Sequence, residues 1–322
     1  TKKGRKEFSL DYDYQMNFGE IRDRINVFNA DAFRQIINQR RPGDAGLLGN
    51  ANTNWQDEVL QKSVSTFHNL SARGQIFGFI PTRVSVNFSE VEGNILTSQF
   101  DRATVSLSMN PSFFDDHLKV SLNYNRNFIN ERYGNSGAIN AALRFDPTQP
   151  VYDPSSPFGG FYQHLDGNGQ VANGTQNPVA SLLQNNSRGD RFRQFGNLKL
   201  DYKLHFLPEV TATVSAGFDK SKEEGSFFSP LNSPANYTDL FVGGEGSFIN
   251  EFENENFNAY LTYVNTFNKL KTDVMVGYDY QSFEASGRSS GNRRNPNNVP
   301  TTSAATPIVL VGFLARANLT YN

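Results

Sequence analysis

From residue 7 to residue 19 the chain alternates without a break. Phe8, Leu10, Tyr12, Tyr14, Met16 and Phe18 hold the even positions, and Glu7, Ser9, Asp11, Asp13, Gln15, Asn17 and Gly19 the odd ones. Successive side chains of a strand point to opposite faces, so this pattern predicts a strand with one apolar and one polar face. At about a dozen residues it is roughly twice the usual globular length and suits a tilted membrane crossing.

The same period returns down the chain. It is clear over residues 102–109, 118–125, 197–204, 210–218, 257–263, 274–280 and 311–321, and weaker around 67–74 and 82–90, which predicts ten strands. The connections alternate too. Those at 75–81, 110–116, 207–209 and 267–270 are short, whereas 20–62, 91–100, 129–190, 220–256 and 283–307 are long. Short turns at one end and long loops at the other are the habit of outer-membrane barrels, with periplasmic turns and extracellular loops. A soluble β-sandwich or an extracellular adhesin alternates equally well, but has less reason to gather every long loop at one end. Aromatic residues near strand ends, such as Tyr12, Tyr14, Phe18, Tyr278, Tyr280 and Phe283, fit interfacial girdles. They also fit the general preference of Phe and Tyr for strands.

Mean hydropathy is −0.53 and hydrophobic residues make up 37% of 322, yet 28 Phe and 13 Tyr leave ample apolar surface to bury. A barrel reconciles these, because each lipid-facing residue is followed by a polar lumenal one. The longest apolar run, residues 308–315, is far short of the ~18 residues of a spanning helix. No signal peptide precedes Thr1-Lys2-Lys3-Gly4-Arg5, which reads as a mature or truncated product. A net charge of −2 with interspersed signs argues against a nucleic-acid groove. The absence of cysteine excludes a disulfide framework, a thiolate metal site and a cysteine nucleophile.

Several segments resemble the SusC/RagA-type TonB-dependent outer-membrane transporters. Thr1-Lys2-Lys3-Gly4 is similar to the end of that family's plug domain. Asn29-Ala30-Asp31-Ala32-Phe33-Arg34 resembles its first loop helix, Asn52-Thr53-Asn54-Trp55-Gln56-Asp57-Glu58 its N-T-D-W-Q-D-E, and His68-Asn69-Leu70-Ser71 its H-N-L-S strand. The likeness continues through Asn177-Pro178-Val179-Ala180, Gly196-Asn197-Leu198, Leu261-Thr262-Tyr263, Gly277-Tyr278-Asp279-Tyr280-Gln281 and the closing run from Leu314 to Asn322. Each motif is weak alone; their order over nearly the whole chain makes the match specific.

The resemblance implies an all-β fold, an antiparallel transmembrane β-barrel of which about ten strands of 22 lie here. Residues 1–6 would end the plug and 7–322 would form the N-terminal part of the barrel in the outer membrane of a Gram-negative cell. It implies active import of an oligomeric nutrient, with a SusD-like surface lipoprotein as lid and TonB acting on the plug. The alternative is a non-transporting barrel, an adhesin or structural component.

No enzymatic constellation and no cofactor motif emerges. His68, His117, His164 and His205 lack metal-motif spacing. Asp166-Gly167-Asn168-Gly169-Gln170 looks faintly like a calcium loop but lacks the distal Glu. Asp115-Asp116 reads as a solvated turn, and Gly243-Gly244-Glu245-Gly246 as a flexible tip. The long connection 129–190 holds the best candidates for binding an oligosaccharide or a peptide: Tyr133, Tyr152, Phe158, Phe161 and Tyr162, flat rings among Asn, Gln and Gly. The alternative reading is that these rings pack the loops together. Polar residues such as Asp11, Asp13, Asn123 and Asn125 would face the lumen.

Overall fold

A computed structural model describes residues 7–166, 171, 175–234, 243–293 and 299–321, so the plug terminus expected over 1–6 lies outside the described residues. The strands are β1 (Ser9–Gly19), β2 (Ser63–Ile76), β3 (Ile80–Glu92), β4 (Gln99–Met109), β5 (Ser112–Phe113), β6 (Leu118–Arg132), β7 (Asn186–Lys203), β8 (Val210–Ser229), β9 (Gly244–Phe267), β10 (Leu270–Ser289), β11 (Thr301–Ala304) and β12 (Ile308–Tyr321). They form one antiparallel meander in chain order, with the two-residue β5 on β6 and with β11 and β12 both on β10. The sheet is open, with β1 at one edge.

All ten expected strands are present, and most run longer. β8, β9 and β10 reach 20, 24 and 20 residues against 11 for β1. The register shows why. In-register neighbours on the outer face run Tyr14, His68, Phe88, Ala103, Phe128, Phe192, Lys222 and Glu251. One row across the sheet thus passes from an aromatic position to charged ones, as it must when strands tilt and each row climbs out of an apolar band. The later strands project past that band, where Lys220 pairs with Glu253 and Glu255 and Lys222 with Glu224.

This extension overturns one expectation. Gly244 to Gly246 are not a flexible tip but the start of β9, with Gly246 opposite Phe227. A side chain at 246 would collide with the Phe227 ring and the Gly291 carbonyl, and one at 225 with the Phe248 ring. The glycines are there because each lets an aromatic ring lie across the backbone. β11 and β12 act as one interrupted strand. Between the Phe283–Ile308 and Ser286–Ala304 pairs, three steps along β10 match four on the other side. This one-residue bulge at 305–307 contains Pro307, which has no N–H to pair.

Burial is inverted relative to a water-soluble sheet. Leu10, Phe18, Leu70, Phe88, Leu198, Leu261 and Phe313 are exposed, while Ser63, Ser65, Ser71, Ser85, Ser89 and Thr213 on the other face are buried. Leaving a large apolar side chain in water forgoes about 1.5–3 kcal/mol each, so such a face requires a nonpolar solvent. Among the described residues no helix is long and apolar enough to cross a membrane.

The apolar core lies instead in the long connections. Helices α1 (Ala30–Arg40), α2 (Trp55–Val59), α3 (Gly137–Ala142) and α4 (Pro178–Leu183) lie there, and the last three meet. Trp55, Val59, Ala142, Phe145, Val179 and Leu182 pack together, with Ile95 and Leu96 of the β3–β4 connection against them. Local chemistry starts the helices. The Asn29 side chain caps α1 by accepting from Ala32 N at 2.9 Å, and Asn177 caps α4 with Pro178 in the first turn.

Candidate functional site

Two surfaces converge at the long-connection end: the polar face of the sheet and the loop cluster mounted on it. The polar face is laced across strands. Arg73 meets Asp11 at 2.6 Å, Ser106 donates to Asn125 at 2.7 Å, Asn123 to Asn197 at 3.3 Å and Thr213 to Asp201 at 2.7 Å. Arg193 pairs with Asp219 and Arg191 with Glu223 at 2.5 and 2.9 Å. The four residues expected to face the lumen all lie on this face.

Within it is a recess of about 620 Å³ bounded by Asp13, Phe67, Asn69, Asn87, Arg102, Asn127 and Phe195. Phe67 and Phe195 break the rule of the face, because they are large rings at polar-parity positions of β2 and β7. Around them stand amide groups with unused capacity. Asn69 donates to Asp13 at 3.1 Å while its carbonyl oxygen, buried, has no partner, and Asn127 accepts from Thr104 at 2.8 Å. Flat rings beside free amide acceptors suit a sugar ring or a peptide group. The sequence reading sought this combination in the loops and missed it here. The available signal was an aromatic residue out of phase within a strand.

Of the five loop aromatics, Phe158 is 1% exposed and Phe161 8%, and Phe161 is part of the apolar cluster. Tyr162 packs against that core and its hydroxyl lies 3.1 Å from His164 Nδ1. Burial first, then Asp146 and Asp153, push its pKa up to about 12. Tyr133 ties the connection to the polar face by donating to Glu223 at 2.6 Å; burial and that carboxylate hold the phenol protonated well above its ordinary range. Tyr152, 58% exposed, leans on Phe161 with the rings tilted by 40° and their centroids 5.2 Å apart, and leaves the rest to solvent.

A buried polar knot fixes these rings. Asn177, fully buried, accepts from Val179 and Ala180 and donates to the carbonyls of Val151 and Tyr162, both at 3.0 Å. Asp146 accepts from Thr148 N and Oγ1 at 2.8 and 2.7 Å and from Gln149 at 3.3 Å, with His164 Nε2 also 3.3 Å away. Burial raises the Asp146 pKa, but these hydrogen bonds outweigh it and hold the carboxyl below its usual range. A depressed carboxyl stabilises the fold above its unfolded pKa of about 4, and that stability is lost as pH falls through the folded value. The emission of Trp55, the single tryptophan of this chain, should therefore report loosening of the cluster only below about pH 4, and Asp146→Asn should remove this acid dependence. An unchanged acid transition in the variant would assign it to other carboxylates.

The histidines are not all apart. His117 and His205, distant in sequence, stack at 3.9 Å at the short-turn end, while His164 belongs to the knot. Among the described residues no group of three or more His, Cys, Asp or Glu is placed to hold a metal ion. Residues 167–170 of the calcium-like run lie outside the described residues. Asp115 and Asp116 sit in the β5–β6 turn with left-handed backbones, φ 51° and 67°.

No protein-family model matches the chain. It is 33% identical to the TonB-dependent receptor SusC of Bacteroides thetaiotaomicron, over 99% of this chain and 34% of that protein. It is 23% identical to the TonB-dependent receptor P3 of Formosa agariphila, over 91% of this chain and 29% of that one. The chain thus spans about a third of the length of these relatives. In structure it superposes along its full length on the RagAB peptide transporter, covering 41% of that chain with TM-score 0.73 and 16% identity. The open-open state of the RagAB importer gives TM-score 0.71 at 15% identity. With the order of sequence motifs, the inverted sheet and these likenesses in agreement, the chain belongs to the SusC/RagA-type TonB-dependent receptors.

Proposed function

We propose that this chain contributes part of the barrel of an outer-membrane importer for an oligomeric nutrient, a glycan or a peptide. Further strands would complete the barrel between β1 and β12, since open edges are not tolerated in lipid. A SusD-like lipoprotein would cover the long connections, and TonB, driven by the inner-membrane proton-motive force, would act on a plug. The observation that carries this reading is the polar-face recess with Phe67 and Phe195 among unsatisfied amides, in a sheet whose other face is apolar. Tyr152 would extend the contact surface into the loop cluster. No covalent chemistry is needed: a solute held by rings and amides is released when plug and lid change its affinity.

The test is uptake by cells carrying the full-length transporter as their single copy. Phe67→Ala with Phe195→Ala should lower uptake of the cognate oligomer at limiting concentration about tenfold or more, since two ring contacts of about 1 kcal/mol each are lost. Surface abundance should stay unchanged. Normal uptake in this double variant would take the recess out of the solute's path, and uptake unchanged when the whole transporter is deleted would favour the adhesin or structural alternative.

A further inference from the structure

The apolar run at residues 308–315, the longest in the chain, falls in β12. Where β1 alternates, β12 is apolar on both faces. Val309, Val311, Phe313 and Ala315 carry the lipid-facing parity, opposite Ser282, Tyr280, Tyr278 and Val276 of β10. Ile308, Leu310 and Leu314 carry the other parity and face inward. A strand that is apolar on both sides is one that is buried on both sides.

The inward residues of β12 have apolar company. Ile308 is opposite Phe283 on β10, and Leu314 is opposite Gly277, itself opposite Tyr260 on β9. Phe252 of β9 is opposite Ala285 and so diagonal to Phe283. Phe283, which the sequence groups with Tyr278 and Tyr280 as a girdle residue, therefore has the opposite parity and points inward. Phe252, Phe283, Ile308, Leu310 and Leu314 are all exposed. The polar groups between them are Gln281, opposite Leu310, and Asp279, opposite Gly312, and Gln281 donates to Asp279 at 3.1 Å. Over β1 to β6 the same face is of another kind: Asp11, Ser71, Ser85, Ser106 and Asn125 are successive cross-strand neighbours in one polar row. The inner wall thus has a polar part and an apolar ledge.

Geometry narrows what covers the ledge. A further strand beside β12 would hide its edge and leave its inner face open. A lid over the long connections does not reach Leu314, midway along the 14 residues of β12. A solute in passage covers the ledge only while it is there, and between passages large apolar side chains would stand in water. β1 rises from the short-turn end, with Ser9 opposite Arg73 near the β2–β3 turn, so the polypeptide leading into it arrives at the foot of the inner wall. We propose that the ledge is the standing seat of the domain that precedes β1 in the full-length protein, held by apolar contact with Phe252, Phe283, Ile308, Leu310 and Leu314. This rests on the importer reading, in which that domain is the plug. It gives the plug a fixed wall and leaves the polar part, with the Phe67 and Phe195 recess, as the side along which solute passes.

Photo-cross-linking of the full-length protein in cells tests this, with p-benzoylphenylalanine at position 310 or at position 311, its lipid-facing neighbour. Position 310 should cross-link to a peptide from the segment preceding β1, and position 311 should give no such product. Ile308→Asn with Leu310→Asn should loosen the seat and raise the entry of vancomycin, which an intact outer membrane excludes, about tenfold. Ser106→Ala with Asn125→Ala, on the polar part of the wall, should leave that exclusion unchanged. A cross-link from position 310 to a long connection, to another protein or to nothing would overturn the proposal, as would equal exclusion by the two double variants. The cross-link is read on assembled protein, so it decides the matter even if Ile308→Asn with Leu310→Asn fails to assemble. Neither failure touches the importer reading, which is judged by uptake.

Discussion

Leu198→Arg should cripple assembly of the sheet in a bilayer, while Asn197→Arg, one residue earlier, should be nearly silent. Leu198 is 41% exposed and its cross-strand neighbours are Leu122 and Ala216, so the new guanidinium would face acyl chains with no partner in reach. An arginine on the lipid face near the bilayer midplane costs about 2–4 kcal/mol. Asn197 points the other way, between Asn123 and Gly217, where the surroundings are polar. Its replacement loses one long hydrogen bond of 3.3 Å from Asn123. Urea unfolding of the full-length protein in phospholipid vesicles would show a large drop in midpoint for the first variant and almost none for the second. Equal sensitivity at both positions would mean that this face does not meet lipid, and the barrel reading would fall with it.

The strands were legible because a barrel writes its fold in a period of two. Each lipid-facing position needs an apolar residue and each lumenal one tolerates polarity, so even the parity of β1 could be assigned from residues 7–19. Strand ends were less legible. Beyond the apolar band the outer face has no reason to stay apolar, so the Lys220, Lys222, Glu251 and Glu253 stretch lost the pattern and looked like loop. Pairing there rests on backbone hydrogen bonds and cross-strand ion pairs, which leave little trace in hydropathy.

The binding residues were harder still. In the loops, Tyr133, Tyr152, Phe158, Phe161 and Tyr162 share one composition, yet their settings differ: Phe158 and Phe161 fill a core, Tyr133 anchors to Glu223, and Tyr152 faces solvent. That difference comes from tertiary packing, which residue type does not encode. The family-like motifs have a related lesson. Ala30, Trp55, Asn177 and Ala180 are among the most buried residues of the chain. What they encode is the architecture of the loop cluster rather than contact with a solute.

Trp55→Ala should accordingly unfasten the long connections and leave the sheet intact. Trp55 is 2% exposed, meets Phe145 edge-on with centroids 4.7 Å apart, and donates from Nε1 to the Asp146 carbonyl at 2.9 Å. Truncating a buried aromatic to alanine costs about 3–5 kcal/mol, partly through the cavity left behind. The lost hydrogen bond also leaves the Asp146 carbonyl with only the Gln149 N–H, at 3.3 Å. That penalty falls on a cluster whose helices have between five and eleven residues and cannot stand alone. Trp55→Phe keeps most of the ring area and should cost roughly 1–2 kcal/mol, mainly the hydrogen bond. Limited proteolysis should then cut Trp55→Ala rapidly within residues 20–62 and 133–185, Trp55→Phe slowly and wild type least, while β7 to β10 stay protected in all three. Simultaneous loss of protection in strands and loops would show that the cluster and the sheet fold as one unit, in which case the loops could not move as a body over the recess.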